Sequence, residues 1–369
     1  MNNKFIIEKK ELFWTLSNLI TIKMFFTYPK YMVETAGCSA WMSCVFMSLI
    51  AIIISYITLS LYEKSGKKNI IELSNKLGGK TFSVIIGLIL CITLLFNMAV
   101  TARTLPESVK IVLLPLTPMS YLIIIVGIAA AVGAFSGIYS ITRIHSLFMP
   151  VAFIIFIAML LFLAPHIEIN NILPVLGKGT YNTFVGSFYT LSIFSDIVVF
   201  YIILPFVGNS SDAKKGAVKS LLLSSVISVA IVFIYNTVYA YPSSDEFIFP
   251  LYQTTRLIRI GDFFQRLEAF FEFIWSISML LYTSLYLFVI CYIWKEIFNL
   301  KYSKELIFPF VIIFSTLSYL PASTTQMSDW GKFVYIITIP VCMILPGLIA
   351  VAYRIKTNAE KRKSLSGKN

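Results

Sequence analysis

The sequence predicts an all-α integral membrane protein of about ten transmembrane helices, arranged as two inverted five-helix repeats. Three observations lead there. Hydrophobic residues make up 58% of the 369 and charged residues only 13%, a balance far from that of a soluble globular chain. Apolar runs recur along the whole length, each long enough (about 17–25 residues) to cross a bilayer as a helix and without the short alternating segments of a transmembrane β-barrel. Charges inside those runs are scarce. Two of the few, Lys23 and Asp196, stand at corresponding places in the first and sixth runs.

Taken in order, a short basic arm, Met1–Glu11, leads into the first run, Leu12–Val33. It reads as a retained span, since bulky Tyr28, Pro29, Lys30 and Tyr31 stand where a signal peptide would need small residues. The second run is Trp41–Tyr62. The linker Glu63–Lys80 carries Lys64, Lys67, Lys68, Lys76 and Lys80, with Ile70, Ile71, Leu73 and Leu77 spaced for a short amphipathic surface helix. Spans three to five are expected at Thr81–Leu105, Met119–Tyr139 and Ile144–Pro165, followed by a polar excursion at His166–Asn182. The sixth span is Thr183–Phe206, and a basic link at Lys214, Lys215 and Lys219 precedes Ala217–Ala240. An outer segment around Tyr241–Pro250 then leads to Gln265–Trp294, Glu305–Pro321, Gly331–Tyr353 and the basic tail KRKSLSGK. The whole reads as one transmembrane domain: residues 1–165 form the first repeat, 166–353 the second with its outer loop, and 354–369 a cytoplasmic tail.

Charge sets the orientation. With both termini in the cytoplasm, most of the 30 Lys and Arg fall inside: the arm, the 63–80 linker, Arg143, the link after the sixth span, the link after the eighth and the tail. Trp14 and Trp294 then lie at the inner interface and Trp41 and Trp330 at the outer one, where amphipathic rings settle. Five spans separate the starts of the first and sixth, so those two run in opposite directions.

Lys23 and Asp196 each fall about 18–20 Å along their helices, near the bilayer midplane. Their neighbours are poor helix formers in hydrocarbon. Thr21, Thr27 and Pro29 around Lys23, and Ser192 and Ser195 beside Asp196, compete with the helical hydrogen-bond ladder, so both spans are expected to break at mid-depth. The expected ligand-binding set is Thr21, Ile22, Lys23 and Met24 on the first span, Asn97 and Thr101 on the third, and Ser192, Phe194, Ser195 and Asp196 on the sixth. An Asp196–Lys23 pair would lower the desolvation cost of both and act as a gate. The plainer readings are a protonated, hydrogen-bonded Asp196 and a Lys23 that reaches along its helix to water. Arg103 and Glu107, at i,i+4 spacing, read as a structural tie. Glu268 and Glu272 share a helix face and offer an ion or proton path, or a salt bridge to Arg103 or Arg259.

Other chemistry is not signalled. The net charge of +12 is spread over loops with no nucleic-acid motif, so no nucleic-acid partner is expected. The five cysteines show no C-x-x-C spacing and read as packing residues. His145 and His166 are placed at opposite interfaces, too far apart to pair. With no phosphate loop, nucleophile–base order or metal-ligand cluster, neither an enzyme nor a cofactor or metal is expected. The 31 Phe and 20 Tyr read mostly as lipid-facing bulk and core.

Five phrases in register carry a family resemblance: FFTYPKYMVETAGCSAW, TARTLPESVKIVLLPLTP, INNILPVLGKG, LSIFSDIVVFYIILPF and GDFFQRLEAFFEFIW. Together they resemble the B subunits of spore germinant receptors, the GerAB-like branch of the amino acid–polyamine–organocation transporter superfamily, over almost the whole chain. The resemblance implies a leucine-transporter-type fold with broken helices 1 and 6, in the inner membrane of a bacterial spore. It also implies A-type and lipoprotein C-type partner subunits, and recognition of a small nutrient germinant such as an amino acid. An acidic residue is common in that family at the Asp196 position. The small residues usual at its first-span break are replaced here by Ile22, Lys23 and Met24. The alternative function is an ion- or proton-coupled secondary transporter of amino acids or amines, and a plainer third is a membrane scaffold.

Overall fold

The computed structural model describes residues 6–258 and 267–366. Among them, eight helices are at least 18 residues long and apolar enough to cross a membrane, and the chain is an all-helical, multi-pass membrane protein.

The first hydrophobic run does not form one helix. Helix α1 (Lys9–Thr21) ends in a 3₁₀ turn at Ile22–Phe25, and α2 begins only at Tyr28 and runs to Ala36. Between them Phe26 leaves helical geometry, with φ −113° and ψ −90°. The cause is local: Pro29 lacks a donor and disfavours helix at the residue before it, while the Thr21 hydroxyl donates back to Ser17 O at 2.6 Å. Gly37, at φ +64°, then turns the chain into α3 (Ala40–Glu63).

Helix α4 (Ile70–Val112) is capped by the Asn69 side chain, which accepts from Glu72 N at 2.8 Å. It is kinked at Gly79, φ +76°. The piece before the kink is the amphipathic segment expected in the linker, with Ile70, Ile71 and Leu73 buried and Lys76 exposed. Helices α5 (Met119–Ser136) and α6 (Ile138–Phe162) meet at Gly137, whose φ of +83° makes a corner without a loop. The expected link containing Arg143 is therefore helical: Arg143 lies in the second turn of α6, largely exposed and 3.5 Å from Glu11. His145 is also inside α6 and fully buried, while His166 is exposed.

The short α7 (Thr180–Phe184) leads into a 3₁₀ segment, Gly186–Ile197, and then α8 (Val198–Ile203). Here the expected break is replaced by overwinding. The hydroxyls of Thr190, Ser192 and Ser195 each donate to the carbonyl three residues back, the spacing that a 3₁₀ winding brings into reach. Twelve residues of this winding are unusual, since most 3₁₀ runs stop at three or four.

The remaining long helices are α9 (Ser210–Val238), α11 (Leu267–Phe298), α13 (Thr324–Thr338) and α14 (Leu345–Ser366), with the short α10 (Pro250–Thr255) in the outer segment. A π-helical turn at Ile339–Ile344, containing Pro340, joins α13 to α14. Helix α12 (Ile307–Tyr319) has only 13 residues, about 20 Å, which is short of a full hydrocarbon crossing. The first and ninth expected spans thus differ from continuous membrane helices, one cut in two and one short. The core is built around α11, which packs on α4, α5 and α6, while α1 packs on α9, α6 and the 186–197 segment.

Candidate functional site

The two irregular segments face each other. Lys23, on the 3₁₀ turn after α1, places Nζ 3.0 Å from Asp196 Oδ1, near the end of the 186–197 segment. Both side chains are buried, at 1% and 0% exposure. In a poorly solvated interior each charge alone would be costly, and the pair is tolerated because each has further partners.

Asn97, on α4, supplies the next link. It accepts from Lys23 Nζ at 3.2 Å through Oδ1, and through Nδ2 donates to Asp196 Oδ1 at 3.0 Å. Its amide is therefore oriented with the oxygen toward the cation and the nitrogen toward the anion. Tyr286, one turn beyond Tyr282 on α11, donates its hydroxyl to the same Asp196 Oδ1 and accepts from Asn97 Nδ2 at 2.9 Å. The Lys23 ammonium also lies 5.4 Å from the centre of the Tyr335 ring, on α13. Three further elements, α4, α11 and α13, thus converge on one ion pair. Asp196 Oδ2 has no hydrogen-bond partner, although it is buried.

A layer of tyrosines closes one side of this centre. Tyr28 and Tyr335 rings lie 5.0 Å apart, Tyr28 and Tyr31 5.8 Å, and Tyr31 and Tyr335 6.1 Å. Tyr28 also hydrogen-bonds Ser192, which ties α2 to the 186–197 segment. Beyond the layer, Lys332 and Glu34 form an ion pair at 2.6 Å. On the opposite side of the first-span break, Phe25 stacks on Trp275 and meets Phe156 edge-on.

Of the residues expected at the site, Lys23, Asn97 and Asp196 come together directly and Ser192 joins through Tyr28. Ile22, Met24 and Phe194 are packed in the hydrophobic core. The Thr21 and Ser195 hydroxyls are spent on their own helices. Thr101, one turn along α4 from Asn97, is buried with its hydroxyl unpartnered. Glu268 and Glu272 do not join the centre. Glu272 accepts from Ser108, eleven positions along α4 from Asn97, or about 16 Å. The salt bridge from these acids to Arg103 is corrected as well. Arg103 Nε donates to Glu107 at 3.1 Å, and its other nitrogens donate to the carbonyls of Ser318 and Pro321. Arg259 lies outside the described residues.

Sequence reasoning missed the tyrosines Tyr28, Tyr282, Tyr286 and Tyr335. A signal was present in LYTSLYLF, where two Tyr at i,i+4 spacing inside an apolar run need hydroxyl partners that lipid does not supply. The sequence also left unread a second polar link. Asn18 Nδ2 contacts Ser278 O at 3.0 Å and His145 Nε2 at 3.1 Å, joining α1, α6 and α11 below the centre.

Comparison with known proteins then decides the family. The profile described as "Spore germination protein" (Spore_permease) matches residues 7–326. The chain belongs to that family. It is 25% identical to Spore germination protein B2 of Bacillus subtilis over 68% of each chain. To Spore germination protein A2 of the same species it is 24% identical, covering 90% of this chain and 92% of that one. Among solved structures it resembles Mhp1, a nucleobase-cation-symport-1 family transporter, with a TM-score of 0.63 and 13% identity over 94% of this chain and 80% of that one. A manganese transporter of Eremococcus coleocola gives a TM-score of 0.60 at 11% identity, covering 92% and 78% of the two chains. At such identities the likeness is one of fold, and this spore germination protein shares its fold with those two transporters.

Proposed function

We propose that this chain is the membrane-embedded B-type subunit of a spore germinant receptor, and that the Lys23–Asn97–Asp196 centre is where a small nutrient germinant acts. The observation that carries this is the ion pair itself, buried at the meeting of the first-span break and the overwound sixth span, with three further helices hydrogen-bonded or stacked on it. A ligand that engages Asp196 Oδ2 or the Lys23 ammonium competes with those links. Losing them frees α1, α4, α11 and the 186–197 segment to shift relative to one another, and partner subunits read the shift.

In this reading the two-part first run and α12 complete ten spans, and residues 1–165 and 166–353 are inverted repeats of a leucine-transporter-type fold. Both termini lie in the cytoplasm and the membrane is the spore inner membrane. Clustering of basic groups supports the orientation: Lys67, Lys68, Lys214 and Lys356 gather at one end of the bundle through contacts with Gly208, Tyr353, Glu63 and Lys76. Cysteines placed at exposed Asn358 and Ser243 should then react with impermeant reagents from opposite sides.

The partners are A-type and lipoprotein C-type subunits. The experiment is to express this chain in spores lacking other receptors, with and without an A-type subunit. Germinant response is expected only with the partner. A full response from this chain alone would overturn the receptor reading and favour a self-sufficient, ion- or proton-coupled transporter.

A further inference from the structure

A cleft lies on the far side of the tyrosine layer from the central ion pair. It encloses about 330 Å³, within the range of small-ligand sites. Its floor includes Tyr31, and its walls carry five charges from three elements: Lys30 and Glu34 on α2, Asp245 in the outer segment, and Asp329 and Lys332 on α13. Lys332 and Glu34 pair with each other. Lys30, Asp245 and Asp329 hold no ion pair among the described residues, and Asp245 Oδ1 is buried without a hydrogen-bond partner. The segment carrying Asp245 is fastened in place, since Tyr235 donates to Ser244 O and Tyr239 to Gln253 O.

We propose that this cleft is a second binding site, for the zwitterion of a free α-amino acid, lying one tyrosine layer outside the central ion pair. The charges select that class. An α-ammonium meets Asp245 and Asp329 while the α-carboxylate meets Lys30, so all three unpaired groups gain a partner at once. An uncharged sugar leaves all three unpaired, a simple cation leaves Lys30 unpaired, and an anion faces an excess of carboxylates. Lys332–Glu34 borders the same space and Lys332 Nζ lies 5.9 Å from the Tyr31 ring centre, so a bound ligand sits against the strap that holds α2 to α13. Tyr31 contacts Tyr335, and Tyr335 covers Lys23, which makes the cleft an antechamber to the centre. The inference rests on the receptor reading for the role of the centre, and on the cleft's own residues for its ligand.

The test is calorimetric titration of the full chain in lipid nanodiscs with L-alanine, L-leucine and L-asparagine, and with N-acetyl-L-alanine, L-alanine methyl ester and D-glucose as comparators. At least one free amino acid should bind at two sites, and the forms lacking either charge should lose the cleft site at least tenfold. Lys30→Gln and Asp245→Asn should each weaken that site about tenfold or more, while Lys30→Arg retains it. Asp196→Asn should remove the other site and leave the cleft. Binding that is unchanged in both cleft variants, equal affinity for the blocked forms, or no binding of any free amino acid overturns the proposal. If the cleft variants lose one site and Asp196→Asn loses none, the cleft stands and the role given to the centre fails.

Discussion

Two buried ion pairs lie in this protein at nearly the same distance, Lys23–Asp196 at 3.0 Å and Arg103–Glu107 at 3.1 Å, and they differ in what else they hold. Arg103 and Glu107 are one turn apart on α4, and the remaining guanidinium nitrogens reach the carbonyls of Ser318 and Pro321 at the end of α12. That pair fastens one helix end to one helix. Lys23 and Asp196 are 173 positions apart and meet only because two irregular segments face each other, with Asn97, Tyr286 and Tyr335 on three further helices. The lesson is that burial and distance do not separate a fastener from a site. In the proposed reading, what separates them is that the central pair's other partners lie on several different elements and that Asp196 Oδ2 is left without a hydrogen-bond partner.

The comparison predicts a graded set of losses in unfolding free energy, measured on purified protein in detergent. Lys23→Met or Asp196→Asn should have the largest effect, about 3–5 kcal/mol, because the abandoned group stays buried without its main partner. Arg103→Met should fall at the lower end of that same range of about 3–5 kcal/mol, because a cleft lined by Arg103, Glu107 and Lys110 brings water toward Glu107. Tyr286→Phe removes one hydroxyl from the carboxylate and should cost about 1.5–3 kcal/mol, the range for hydrogen bonds to charged groups. A loss as large as that of Asp196→Asn would mean that the tyrosine, and not the lysine, holds the carboxylate. Lys332→Gln should have the smallest effect, roughly 0–1 kcal/mol, since the Lys332 and Glu34 side chains are 32% and 38% exposed and water screens them.

The pair at the centre was legible because charges are rare in hydrocarbon runs, and Asn97 was legible for the same reason of polarity out of place. Tyr282, Tyr286 and Tyr335 were not, because in a chain with 20 Tyr most rings serve lipid contact or packing, and spacing alone does not say which hydroxyl finds an acceptor. Ser192 and Ser195 signalled trouble for an α-helix but not its form. The same back-bonding that suggested a break is satisfied by tighter winding. Gly137 hid a corner that needs no loop residues, so Arg143 was placed outside a helix that contains it. The reach of Arg103 to α12 depended on a tertiary contact that its sequence neighbours do not reveal.

The most direct measurement compares two neutralised pairs, Lys23→Met with Asp196→Asn and Arg103→Met with Glu107→Gln, each made as a double variant in spores whose germinant response and receptor level are both recorded. Removing both charges of a buried pair relieves the uncompensated ion, so both double variants should accumulate better than their single parents. The Arg103/Glu107 double variant should respond at the usual germinant concentration, while the Lys23/Asp196 double variant should accumulate and not respond. A Lys23/Asp196 double variant that accumulates and responds at the usual concentration would show the central pair to be a fastener like the other.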